Sequence, residues 1–303
     1  MPSSTSYGAG CDFIIRSIDG TQFRVRRDCL EAGSQVFRDM FACCEPDFVT
    51  DMYGDDQALD LTEPSVLLDL LFRFLHSPPE SYVADETDEE DADSVASFTR
   101  IRVVFPGSAI PLPVLSVLIT LADKYALSQP LLQCLYSHLA AHASTSPLRV
   151  YGYAIGLGLD SIAAKASMYL LHPPLSEYSP EEVKVIPTAD AYHRLLLLHD
   201  HRIKALREVL IGESIFPHGY GQCVKHSQTT TALWEQRKRV VAQQLQAATD
   251  AAAEMAEVQT KLDACQTCSK ACTAALSMLD YKCGKVLKRV DQLAPEVSIG
   301  RSS

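Results

Sequence analysis

The stretch CDFIIRSIDGTQFRVRRDCLEAGSQVFRDMF, residues 11–41, changes its hydrophobic period part-way along. Phe13 and Ile15 alternate with Ile14 and Arg16, and Phe23 and Val25 alternate with Gln22, Arg24 and Arg26. A period of two puts the two sets on opposite faces of a strand, and Asp19-Gly20 between the runs supplies the residues a tight hairpin turn prefers. From Leu30 the spacing becomes helical, with Leu30, Val36, Phe37, Met40 and Phe41 able to line one face. Gly33-Ser34 interrupts that face and reads as a cap between two short helices.

Further along, ALDLTEPSVLLDLLFRFL, residues 58–75, reads as a short strand, Ala58 to Leu61, and then a helix with Pro64 as its first residue and Val66, Leu67, Leu70, Leu71, Phe74 and Leu75 at helical spacing. It stops before Pro78-Pro79. VLSVLITLADKYAL, residues 114–127, is apolar again. In element order and in residues, this part of the chain resembles a BTB/POZ domain over roughly residues 10–143. Cys11-Asp12, Phe23, Val25, Arg27, Leu30, Ser34, Val36, Phe37 and Ala122-Asp123-Lys124-Tyr125 carry the resemblance, and Arg26 stands where that family usually has His.

The resemblance implies an α+β fold for residues 11–143, a short mixed sheet flanked by helices. It also implies a homodimer with Asp12 and Arg27 in a charged pocket at the interface. Read without the resemblance, both are ordinary charges at strand ends. Residues 79–99 interrupt the pattern. Glu80, Asp85, Glu86, Asp88, Glu89, Glu90, Asp91 and Asp93 face no basic residue over residues 80–93, so a disordered acidic insertion is expected there. Thr99 to Phe105 reads as a strand that could extend the sheet. Residues 1–10 and 294–303 carry no periodic signal and are expected to be disordered.

The rest of the chain reads as all-helical. Residues 148–157 and 161–171 form two helices around Gly156-Leu157-Gly158, with Asp160 or Ser161 as a cap, and the absence of a third glycine and a preceding strand removes a dinucleotide-binding reading. Ser179-Pro180-Glu181-Glu182 is a capping box, and Thr188 caps a helix through Leu210 that stops at Gly212. Residues 147–211 resemble the helical BACK extension that follows many BTB domains.

The whole chain has 303 residues, enough for about two domains. Its longest apolar run, Leu112 to Ala122, is too short and too interrupted for a membrane span. The opening MPSSTSYGAG lacks the basic and apolar regions of a secretory signal, so an intracellular setting, cytoplasmic or nuclear, is expected. In a reducing compartment ten cysteines read as thiols or metal ligands. The net charge of −11 leaves −3 once the eight acidic residues of the insertion are set aside, so no basic face for nucleic acid is expected. No nucleophile elbow, P-loop, HExxH or kinase loop set occurs. His193, His199 and His201 share a helix at spacings that do not gather metal ligands.

One motif pair remains. Cys223-Val-Lys-His226 and Cys265-Gln-Thr-Cys268 together offer the four soft or borderline donors of a tetrahedral structural zinc. The 38 intervening residues read as helix, and one unbroken helix would hold the pairs ~58 Å apart. They can meet only if the chain reverses near Thr249-Asp250, where both side chains can cap a second helix. The alternative is a long helix paired with Ala271 to Leu293, with the cysteines as packing residues. A helical hairpin over 220–293 is expected in either case, with Cys272 and Cys283 as core thiols.

The functional expectation is a non-enzymatic protein-interaction adaptor. It would homodimerise through its N-terminal domain and recruit partners through its helical region, possible assemblies being a cullin ubiquitin ligase, as substrate receptor, or a transcription-associated scaffold. A metal-dependent or thiol enzyme using the C-terminal Cys/His cluster is the competing class, and it lacks a recognisable base or oxyanion donor.

Overall fold

A computed structural model describes residues 4–43, 58–81 and 109–293. It is a mixed α+β structure with one small sheet near the N-terminus. The acidic insertion beyond residue 81, the strand expected over Thr99 to Phe105, Cys44 and the tail 294–303 lie outside the described residues. Contacts divide the described chain into two units, residues 4–81 with 109–142, and residues 143–293.

In the first unit β2 (Phe13–Arg16) and β3 (Gln22–Val25) form the expected hairpin, with Phe13 opposite Val25 and Ile15 opposite Phe23. Its turn places Gly20 at φ +80°, a conformation that favours glycine. Asp19 does more than turn the chain. Its Oδ2 accepts from the backbone N–H of Ser65 at 3.0 Å and from the Ser65 hydroxyl at 2.7 Å, so the hairpin caps α3 (Ser65–His76), whose own cap position, Pro64, has no side-chain acceptor. Hydrogen bonds from Ser17 and Ser65 hold the Asp19 carboxyl well below the usual carboxylate range. Pro64 thus precedes the helix instead of opening it, since it keeps an extended ψ of 149°.

β4 (Leu59–Asp60) joins β2 in parallel, and β1 (Ser4–Ser6) joins β3 in parallel, giving the order β1-β3-β2-β4. The strand at Ser4–Ser6 corrects the expectation of a disordered residue 1–10 segment. Tyr7 anchors it, stacking on Phe23 at 6.3 Å and donating to Asp69 at 2.7 Å. One aromatic among Ser and Gly carries no periodicity, so the sequence pattern could not reveal it.

Ile15, Phe23 and Val25 share one buried sheet face, with Phe23 edge-on to Phe72 of α3 at 5.4 Å, and Leu30 of α1 (Arg27–Gly33), Phe37 of α2 (Gln35–Cys43) and Leu68 and Leu71 of α3 are buried as well. Leu115 and Leu121 of α4 (Leu112–Lys124) and Leu135 and Leu139 of α5 (Gln129–Ala141) complete the buried set. The Gly33-Ser34 joint is stitched to the end of α4. Ser34 Oγ donates to the Tyr125 carbonyl at 2.6 Å and accepts from Phe37 N–H, while Ser128 N–H bonds to the Gly33 carbonyl. Cys43 is exposed at the end of α2.

In the second unit α6 (Pro147–Gly156) and α7 (Asp160–Tyr169) pack as a pair, with Leu159 in the cap position where Asp160 or Ser161 was expected. Gly152 lets the 180s segment approach, because a Cβ there would stand 2.4 Å from the Val185 carbonyl oxygen. α8 (Pro180–Val183) begins with the Ser179–Glu182 capping box, and α9 (Ala189–Gly212) with Thr188, whose hydroxyl accepts from Ala191 N–H. α10 (Ser227–Gln244), α11 (Ala251–Met255), α12 (Glu257–Leu262) and α13 (Gln266–Gly284) follow. Leu206 and Leu210 of α9 share one core with Trp234, Val241, Met255, Val258, Cys272 and Leu279. The two helical regions expected over 147–211 and 220–293 therefore merge through α9, whose apolar stripe is long enough to serve both. α13 stops at Gly284, short of the expected Leu293, and a 3₁₀ turn at Val290–Gln292 follows.

His76 of the first unit is held neutral. Its Nε2 accepts from Arg26 N–H at 2.9 Å, and its Nδ1–H donates to the Phe72 carbonyl at 2.7 Å. Burial lowers its pKa. Protonation would set an N–H against the Arg26 N–H. With the folded pKa below the ordinary value of about 6.5, this contribution is complete above that pH and is lost as pH falls through the folded pKa. Thermal unfolding of the full chain followed between about pH 8 and pH 5 is expected to show a falling midpoint, and the His76→Gln chain a shallower fall.

Candidate metal centre

Each half of the centre sits at the start of a helix. Cys223 lies in the turn before α10, with His226 as the cap residue of that helix. Cys265 is the cap residue of α13, and Cys268 lies in its first turn. The first N–H groups of a helix have no partner within it and carry partial positive charge, so they favour thiolate at both places. Backbone N–H groups of His226 and Lys225 lower the Cys223 pKa, and the N–H of Cys268 leads the causes that lower that of Cys265. Burial raises the pKa of Cys268, the innermost thiol, although the buried Thr230 hydroxyl donates to its sulfur at 3.4 Å.

The two halves meet because the chain reverses. α10 ends at Gln244, and residues 245–250 turn the chain without glycine or proline. Thr249 Oγ1 accepts from Gln246 N–H at 2.8 Å, and Asp250 caps α11 by accepting from Ala253 N–H at 2.9 Å. Arg202 of α9 fixes the turn. Its Nε donates to the Ala247 carbonyl at 2.5 Å, and its Nη1 to the carbonyls of Val286 and Leu287 at 3.0 Å each. α11 and α12 then lead back, and α13 starts where α10 starts. The long unbroken helix of the alternative reading does not form.

Sγ of Cys223, Nδ1 or Nε2 of His226, and Sγ of Cys265 and Cys268 all lie within 4.8 Å of one another. Cys223 Sγ is 3.8 Å from Cys265 Sγ and 3.6 Å from His226 Nδ1. In a tetrahedron with zinc–sulfur bonds of about 2.3 Å and zinc–nitrogen bonds of about 2.05 Å, the sulfur–sulfur edge is about 3.8 Å and the sulfur–nitrogen edge about 3.6 Å. Both distances fit. Three thiols and an imidazole, with no carboxylate among them, are a donor set for a borderline cation and a poor one for calcium or magnesium.

No family model, no curated protein and no solved structure matches the chain.

The other expected positions fall elsewhere. Cys272 and Cys283 are buried in the core, their thiols pushed up to about 11 by burial. His199 bonds to the Leu170 carbonyl at 2.9 Å. Asp12 and Arg27 do come together, through the backbone: Asp12 Oδ1 accepts from Arg27 N–H at 2.8 Å and so caps α1, while the Arg27 side chain pairs with Glu31 at 2.7 Å and lies over the Phe41 ring. Asp12 is exposed.

Sequence reasoning missed three residues of this unit, of which Thr230 touches the centre itself. Thr230 lies in the first turn of α10, four residues after the cap residue His226, a spacing that could have revealed it. Arg202 and Lys238 gave no signal. Lys238 caps the end of α9 by donating to the Ile211 and Glu213 carbonyls, and Trp234 Nε1 donates to the same Glu213 carbonyl. Beside the centre, an open groove of about 790 Å³ runs between Ile215, Pro217 and Tyr220 on one wall and Ala271, Ala274 and Met278 of α13 on the other.

Replacing Arg202 by Met keeps most of the volume and strands three carbonyls, two of them in the buried interior. The variant is expected to lose about 3 kcal/mol in urea unfolding of the full chain, with Lys a poor substitute because one ammonium cannot reach carbonyls on two segments.

Proposed function

We propose that the chain is a non-catalytic protein-interaction adaptor whose C-terminal helical unit is built around one structural zinc ion. The observation that carries this reading is the convergence of Cys223, His226, Cys265 and Cys268 within 4.8 Å, all four tetrahedral positions being met by protein atoms. Such a set leaves no position for a water or substrate, so the ion would supply folding energy and no chemistry. In peptide-sized zinc units that energy is roughly 10–16 kcal/mol, comparable with the net stability of a whole domain at about 5–15 kcal/mol. Metal analysis of the purified full chain is expected to give about one zinc per chain. The Cys265→Ser chain should lose the metal and a cooperative part of its helical circular dichroism; a metal-free wild-type chain of unchanged stability would end the reading.

Recruitment is the role that remains for such a unit, and the open groove beside the centre, with Tyr220 and Met278 exposed, supports a partner-binding surface. Dimerisation belongs to the N-terminal unit. The BTB/POZ resemblance supports it, together with its small mixed sheet flanked by helices and the half-buried Phe13 and Ile14. Light scattering of the full chain at tens of micromolar is expected to give twice the chain mass, reduced by Asp12→Ala combined with Arg27→Ala. Co-precipitation of a cullin, with and without chelator, tests the ligase form of the adaptor against the transcription-associated one.

Among the described residues no helix is long and apolar enough to cross a membrane.

A further inference from the structure

We infer that the Cys223/Cys265 pair makes the centre redox-sensitive: hydrogen peroxide oxidises these two sulfurs to a disulfide and the zinc leaves. This rests on the zinc reading above. The two sulfurs are 3.8 Å apart, so a bond of about 2.05 Å requires less than 2 Å of closure. Both residues lie outside the helical bodies. Cys223 precedes α10 in a turn, and Cys265 is an extended cap residue between α12 and α13, at φ −125° and ψ 109°. Cys268 is placed differently. It lies inside the first turn of α13, is 1% exposed, and its sulfur accepts from Thr230. Cys272 and Cys283 are farther along the same helix and buried in the core.

Cys265 is the more exposed of the pair and is the first to react. Its thiolate attacks the peroxide. A sulfur–oxygen bond forms, the oxygen–oxygen bond breaks and hydroxide leaves, so Cys265 carries a sulfenic acid. The Cys223 thiolate then attacks that sulfur, forming the sulfur–sulfur bond and expelling a second hydroxide. Two electrons pass from the sulfurs to the peroxide. The ion keeps two protein donors, His226 and Cys268, and is released. The disulfide meanwhile holds the starts of α10 and α13 together, so the metal is lost with the helices still joined.

The full chain, loaded with zinc, cleared of excess and assayed for metal content, is titrated with hydrogen peroxide in the presence of a chromogenic zinc chelator. Disulfides are mapped by mass spectrometry of a non-reducing digest. The expected result is release of about one zinc per chain in step with a Cys223–Cys265 disulfide, retained helical circular dichroism, and recovery of the ion after dithiothreitol and added zinc. The C272S/C283S chain should behave alike. A Cys265–Cys268 disulfide, sulfinic acid without any disulfide, or zinc retained at a dose that oxidises the exposed Cys43 overturns the inference and leaves the zinc reading standing. A chain that takes up no zinc before oxidant is added overturns both.

Discussion

The Arg202 guanidinium is buried in the second unit, and among the described residues no carboxylate pairs with it. It directs its donors to three carbonyls on two segments, the reversal at Ala247 and the end of the last long helix at Val286 and Leu287. Burial disfavours its charged form, and a cation in that position is tolerable only while each carbonyl stays in place. The position of the 245–250 turn thus depends on a side chain 45 residues before Ala247. Once the turn is fixed, α11 and α12 lead back along α10, and the starts of α10 and α13 fall at one end. Convergence of the Cys223/His226 and Cys265/Cys268 pairs follows from helix lengths and that one turn, and it leaves Cys223 Sγ 3.8 Å from Cys265 Sγ.

The first unit uses the same device, with a hydroxyl in place of the guanidinium. Ser34 joins two short helices and ties that joint to the end of α4 through the Tyr125 carbonyl, while Gln35 N–H reaches Ala126 and Ser128 N–H reaches Gly33. Tyr125 itself stacks on Phe37 at 5.2 Å. Its hydroxyl meets the buried Glu63 carboxylate, which Lys124 also pairs. Burial and that hydrogen bond keep the phenol protonated. Residues near 34, 63 and 125 therefore form one polar seam between otherwise apolar layers, with its polar atoms partnered.

Period and punctuation made much of this legible. The Asp19-Gly20 hairpin, the Ser179–Glu182 box and the Thr188 cap were readable because each is a local arrangement within a few residues. The metal candidates were readable for the same reason, each pair spanning four residues; the doubt lay in the distance between them, and Asp250 was the visible clue to the reversal. What stayed hidden was long-range and polar. Asp19 looks like a turn residue and also caps a helix at Ser65, while Arg202 sits in a leucine-rich helix where nothing marks its three acceptors. Tyr7 was overlooked because parallel pairing of Ser4–Ser6 with Gln22–Arg24 uses backbone groups that any residue has. The merging of the helical regions was equally invisible, since α9 shows one continuous stripe and does not announce which half packs on which neighbour.

The order of the four donors along the chain has a consequence for biosynthesis. Cys223 and His226 emerge from the ribosome as a finished half, and Cys265 and Cys268 follow about 40 residues later. At about 5–20 residues per second this interval lasts roughly 2–8 s. During it the early pair can offer an ion only two protein atoms. A centre drawn from all four groups can therefore be complete only after translation has passed Cys268 and the reversal at 245–250 has formed.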